Sequence, residues 1–148
     1  PTNMFVAGFM GSPQMNFIDA KMVEKDGRYV VAFGDENNTY EVAIPESKKV
    51  DELSEYVGKD VVLGVRPESL KDEEMFISAA STGIIDCNVD VTEMMGAETY
   101  LYLNCEGFYF TARVAARSMA RPGDVIKVGI DLNRIHLFDK ETEKTILN

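Results

Sequence analysis

The chain has 148 residues, 45% of them hydrophobic and 27% charged, with a formal net charge of −10 at pH 7. That length and balance describe one globular domain, or two small lobes, with enough apolar residues to bury a core. The negative charge argues against a nucleic-acid partner, because phosphate backbones are held by clustered Lys and Arg. No run of about 18 apolar residues is present, so no segment reads as a membrane-spanning helix.

The chain opens on Phe5-Val6-Ala7-Gly8-Phe9-Met10-Gly11-Ser12-Pro13-Gln14-Met15-Asn16-Phe17. Asn3 is placed to cap a helix, with Phe5 and Phe9, and Val6 and Met10, each four residues apart. Pro13 disfavours helical geometry at Ser12 and ends the helix there. About two turns remain, well short of the roughly 12–15 residues an isolated helix needs in water. This helix must therefore dock on something, most simply the chain's own core.

Ala20–Glu24 and Arg28–Gly34 read as two strands joined at Lys25-Asp26-Gly27, where Asp-Gly favours a tight hairpin turn. A second turn at residues 35–38 leads into a strand over Thr39–Ile44, closed by Pro45. Ser47 then looks like an N-cap, with Val50, Leu53 and Val57 along one face and Gly58 as the stop, which predicts the chain's clearest helix. Asp60–Val65 reads as a strand and Arg66-Pro67-Glu68-Ser69 as an exposed turn. Met75–Ala79 is expected to be a further strand. Along Ile84–Met94, Cys87, Val89 and Val91 alternate with Asp86, Asn88 and Asp90, which predicts a half-buried strand with its carboxylates on the solvent side.

Glu98–Asn104 and Phe108–Val114 follow as strands, turned at Glu106-Gly107. The aromatic density around Tyr100, Tyr102, Phe108, Tyr109 and Phe110 is better read as packing than as a base-stacking platform, because only Arg113 and Arg117 are near it. After the turn at Arg121-Pro122-Gly123-Asp124, Ile126, Val128 and Ile130 alternate, and short strands are expected around Ile135–Asp139 and Thr145–Leu147. Many short strands at intervals of about 8–12 residues predict a mainly β chain, an OB-type barrel or sandwich with one or two short helices.

Chemical sites find little support. The sequence has one histidine, His136, and two cysteines, Cys87 and Cys105. No Cys or His stands at metal-ligand spacing, and two isolated thiols fit a reducing compartment better than a disulfide framework. No charged-then-apolar leader pattern opens the chain, so the cytoplasm is the expected location. The Gly58-Lys59 pair is followed by Asp60 and ends an element instead of opening a helix, so it is no phosphate loop. No catalytic residue, metal site or cofactor site is expected in this chain.

The opening F-V-A-G-F-x-G-S-P-x-M-N-F run resembles the segment joining the ATPase domain to the C-terminal regulatory domain in ATP-binding subunits of maltose-type sugar ABC importers. L-G-V-R-P-E at Leu63–Glu68, G-x-E-T-Y-L-Y-L at Gly96–Leu103, F-T-A-R-V at Phe110–Val114 and H-L-F-D-x-E-T at His136–Thr142 resemble further landmarks of that family, in the same order. Two departures stand out. The family usually has His where this chain has Ser69, and Gly where it has Glu143.

The resemblance implies a regulatory domain of the transport-associated OB (TOBE) type spanning residues 1–148. Residues 1–13 would be the connector to an ATPase domain lying upstream of Pro1, where ATP and Mg would bind. It implies a homodimer, with Phe5, Phe9, Met10, Gly11, Ser12, Met15, Asn16, Arg66, Pro67, Glu68, His136 and Phe138 as candidate interface or interdomain residues. It further implies permease subunits at the cytoplasmic face of the membrane and, in some members, a cytoplasmic regulatory protein. The alternative is a free-standing OB-type module binding a small oxyanion such as molybdate. The acidic chain has no Ser/Lys-rich anion loop to support that alternative.

Overall fold

The computed structural model describes residues 2–9, 14–35 and 37–148, with only the backbone of Gly8 and Phe9. Asn3 caps the first helix as expected: its Oδ1 accepts a hydrogen bond from the Val6 N–H at 2.9 Å, and α1 covers Met4–Phe9. The expected hairpin forms between β1 (Asn16–Lys25) and β2 (Arg28–Gly34). Its turn holds Asp26 and Gly27 at φ 53° and 77°, the two positive values a type I′ turn requires. β3 (Thr39–Ala43) and β4 (Asp60–Val65) follow. Then come β5 (Leu70–Lys71), α2 (Glu74–Ala79), β6 (Ile84–Met95), β7 (Glu98–Cys105) and β8 (Phe108–Ala115). The chain closes with β9 (Val125–Ile130), β10 (His136–Asp139) and β11 (Thr145–Leu147).

These strands build two antiparallel sheets, in the orders β11-β10-β4-β1-β2-β3 and β5-β9-β6-β7-β8. In the second sheet β5 also comes against β8, which nearly closes a five-stranded barrel of OB type. The inner faces share one apolar core: Ile18, Met22, Val31 and Leu63 from one sheet meet Ile85, Leu101, Phe110 and Val128 from the other. The outer strands are not left bare. The Gly83 N–H donates to the Glu41 carbonyl of β3 and the Ala43 N–H to Thr82 Oγ1. On β11, the Thr145 N–H donates to the Thr2 carbonyl.

Several local expectations give way to tertiary context. The region of the expected Ser47-capped helix is two short 3₁₀ helices, Glu46–Lys48 and Asp51–Tyr56. Val50, extended at φ −124° and ψ 155°, separates them, neither has a side-chain cap, and only Leu53 is buried. Met75–Ala79 lies in helix α2, not in a strand. Phe76 and Ile77 turn toward Gly129 of β9, where a Cβ would lie 2.6 Å from the Phe76 ring. Glu74 at the first turn suits the positive end of the helix dipole.

In β6 the register passes from Val89↔Leu103 to Val91↔Tyr102, so Asp90 is a bulge residue. Val91 thereby joins the outer face and is exposed, against the expectation that it points inward. The Arg66–Ser69 turn is not a surface feature either. Pro67–Ser69 is a 3₁₀ helix with Pro67 and Ser69 buried, and the Ser69 carbonyl accepts from the Asp131 N–H.

A second, smaller core lies on the outer face of the first sheet. Ala7 of α1, Met15, Val62 of β4 and Phe138 of β10 are buried together, with Met4 packed beside them. β4 is thus covered on both faces, which is why every residue from Val61 to Val65 is buried. Gly64 is the small residue this demands: a Cβ there would lie 2.6 Å from Met15 Sδ and 2.8 Å from the Phe138 ring. Gly64→Ala is therefore expected to lower the unfolding free energy by about 1–3 kcal/mol, read from urea denaturation; an unchanged midpoint would show that Met15 and Phe138 yield without cost.

Candidate interaction surface

The register places Phe17, Gly64 and His136 in one row across β1, β4 and β10, and Asp19, Val62 and Phe138 in the next. Directly paired residues share a face, so these rows, with α1 over them, make up the outer face of the first sheet. Met15 and Phe138, candidates from the opening stretch and from His136–Thr142, pack together here with Val62 although about 120 positions separate them in sequence, and His136 lies beside Gly64 in the adjoining row. Phe5 is 69% exposed on α1, and Phe17 is 37% exposed and meets Phe138 edge-on at 5.8 Å between ring centroids. Phe17 was absent from the sequence-derived candidates; its alternation with buried Ile18 is the signal that marks it as outward.

The other candidates divide by burial. Met15 and Phe138 are buried within the chain itself, so they back this face from beneath and offer no surface. Pro67 is buried at the start of its 3₁₀ turn, while Arg66, Glu68 and His136 are half-buried. Asn16 is half-buried and committed internally. Its Nδ2 donates to the carbonyls of Val65 and Thr111 at 3.0 Å each, and its Oδ1 accepts from the Thr111 N–H at 2.8 Å. The Phe9 side chain, Met10, Gly11 and Ser12 lie outside the described residues.

The loop after β10 is built on Asp139. Its carboxylate accepts from the N–H groups of Glu141 and Thr142 at 2.8 Å and from the Tyr56 hydroxyl at 2.7 Å. The Thr142 N–H, the Tyr56 hydroxyl and the Glu141 N–H hold the carboxyl below its usual range, and the same bond to Asp139, with burial, pushes the Tyr56 phenol up to about 12. Glu143 closes this loop at φ 61°. That left-handed geometry suits Gly and strains an L side chain. The Glu143 carbonyl in turn accepts from the Met4 N–H, tying the loop to the start of α1.

Among the described residues no three His, Cys, Asp or Glu side chains stand together as a metal site, and no helix is long and apolar enough to cross a membrane. Burial raises the thiols of Cys87 and Cys105 above their usual range. Both stay protonated near neutral pH and are poor nucleophiles. A second set of exposed apolar side chains, Val91, Met95, Tyr102, Tyr109 and Val125, lies on the outside of the barrel sheet.

An OB-type barrel carrying a short N-terminal helix on a second sheet defines a class of small β domains, not an activity. The chain belongs to the TOBE domain family, whose model matches residues 63–138, and the MalK OB fold domain model matches residues 11–70. The oligosaccharides import ATP-binding protein MsmX of Bacillus subtilis is 37% identical over 147 residues, covering 99% of this chain and 38% of its own length. The multiple sugar-binding transport ATP-binding protein MsmK of Streptococcus mutans is 36% identical over 99% of this chain and 37% of its own length. The trehalose/maltose import ATP-binding protein MalK of Thermococcus litoralis is 38% identical, again over 99% of this chain and 38% of its own length. The chain thus spans under two fifths of the curated relatives it matches. Among solved structures, the cytoplasmic molybdate-binding protein ModG has a similar fold, with a TM-score of 0.58 at 16% identity, covering 82% of this chain and 94% of that one.

Two outcomes follow from this geometry. Because Phe138 is wholly buried, Phe138→Ala is expected to cost about 3–5 kcal/mol in chemical unfolding, which makes it a core variant unsuited to probing an interface. His136 titrates below the usual 6.5, chiefly because burial disfavours its charged form, with the Arg66 and Lys48 charges acting the same way against a hydrogen bond that His136 donates to Asn148. The unfolded chain therefore takes up this proton first. The stability His136 contributes is fully present above about pH 6.5 and is lost as pH falls through its folded value. Melting temperatures between about pH 5 and 8 should show this decline in the native chain and a flatter profile in His136→Gln.

Proposed function

We propose that this chain is the regulatory and dimerisation domain of the ATP-binding subunit of a carbohydrate ABC importer. The observation that carries the reading is similarity to three sugar-import ATP-binding proteins along 99% of the chain. In this reading the parent protein couples ATP hydrolysis to sugar uptake, ATP and Mg bind its separate ATPase domain, and residues 1–13 are the connector to that domain. The subunit works in the cytoplasm, held at the membrane face by permease subunits, and a cytoplasmic regulatory protein is a further partner class.

The domain's own task is mechanical: it holds two subunits together while the ATPase halves open and close. Phe5 and Phe17 supply exposed apolar area, and His136, with the Arg66 charge near it, supplies polar groups at its border. A two-fold interface is self-complementary, so a modest patch is used twice. α1 is itself part of the connector and lies over this face, so a change at one bears directly on the other.

Two measurements test the reading. The coding sequence upstream of the Pro1 codon is expected to contain a phosphate loop and an ABC signature; a start codon close by with neither would overturn the importer reading. In sedimentation velocity at about 100 μM, enough to fill a micromolar interface of about −8 kcal/mol, the chain is expected to dimerise. Phe5→Ser should weaken that dimer by about tenfold or more in Kd without shifting the melting temperature. A monomer at that concentration would remove dimerisation from the domain's intrinsic properties.

A further inference from the structure

The Asn16 side chain makes three hydrogen bonds that tie the start of β1 both to the end of β4 and to β8 of the barrel. Thr111 lies opposite Tyr102 in the β7–β8 register, yet both its N–H and its C=O go to the Asn16 amide, at 2.8 and 3.0 Å. In an antiparallel pair, alternate residues turn both backbone groups away from the neighbouring strand. Thr111 is such a residue on β8, and the Asn16 carboxamide, one donor and one acceptor side by side, fills the place of a missing strand. The second Nδ2 hydrogen goes to the Val65 carbonyl at the end of β4. An amide offers two donors and two acceptor lone pairs in a fixed plane. Ala would make none of these bonds, and Asp would set a carboxylate against two carbonyls.

Asn16 is also where the N-terminal connector enters the first sheet. Its neighbour Met15 is buried with Ala7 of α1, Val62 and Phe138, and Met15 Sδ lies over Gly64. A continuous line of packed or bonded groups therefore runs from α1 through Met15 and Asn16 to β8 of the barrel.

We propose that Asn16 is a positioning residue that couples the N-terminal helix to the barrel, transmitting displacement of the connector to β8 through its paired hydrogen bonds with Thr111. The biological use of this coupling rests on the importer reading above; its existence in the chain does not. If α1 is pulled by a domain upstream, β8 and the barrel move with it as one body. Without the Asn16 amide, the start of β1 frays, Met15 loosens from Gly64, and α1 and the barrel respond separately.

Amide hydrogen exchange followed by NMR on the 148-residue chain tests this. In Asn16→Ala, the Thr111 N–H should exchange about tenfold faster or more, and the Val6 and Ala7 amides of α1 should quicken with it, while Leu101 and Leu103 in the β7 core change less than about twofold. Faster exchange at Thr111 with α1 unchanged would overturn the coupling and leave Asn16 as a local cap on a strand edge. Should Asn16→Ala lower protection throughout, Thr111→Pro decides, since it removes the N–H that Asn16 accepts from on the side of β8 facing away from β7. Quickened α1 amides with a protected core then support the coupling, and unaltered α1 amides overturn it. These readouts concern this chain's own amides, so their failure is distinguishable from an upstream sequence that lacks an ATPase domain.

Discussion

The fold depends on one strand being dry on both sides. β4 faces the shared core through Val61, Leu63 and Val65 and the smaller cluster beneath α1 through Val62. Burying about four aliphatic side chains of this kind is worth several kcal/mol in area terms, and it fixes what may lie on either face. The inner side requires a second sheet. The outer side requires a lid, which α1 and Met15 provide, and a missing Cβ at Gly64 so that the lid can close. A helix too short to persist in water is held by that need, and its cap at Asn3 and its tie to the Glu143 carbonyl set its direction.

Most strands could be read from alternation because one face of each is wet. The Asp26-Gly27 turn was legible for a local reason, since two residues at positive φ name their own turn type. Where the reading failed, the deciding partner lay far away. Met75–Ala79 carries an apolar run that periodicity alone cannot assign, and the space over Gly129, some fifty residues later, makes it a helix. The bulge at Asp90 reverses the facing of Val91 without changing the alternation that suggested it points inward. For the stretch after Pro45, spacing implied one helix, but extended geometry at Val50 splits it.

The candidate surface was half legible. The sheet register and packing bring the opening stretch and the His136–Thr142 motif together on one face. Sequence could not rank them by exposure, because burial of Phe138 and Met15 depends on α1 lying over them. Nor could it show that Asn16 is spent on backbone groups 49 and 95 residues away. The two departures from the family pattern also acquire physical meaning. Ser69 occupies a buried position beside the Asp131 N–H, and Glu143 holds a left-handed turn that Gly would adopt without strain.

The strand borders have one last consequence, for how copies of this chain can meet. β3 is engaged by Thr82 and Gly83, β11 by Thr2, and β8 by Asn16 and by its approach to β5. A sheet whose borders are occupied is a poor template for another chain's backbone, so growth into ribbons by strand addition is discouraged at these points. Recognition between copies is then left to side chains meeting face to face, an arrangement that stays finite and can be loosened or tightened by small changes in packing.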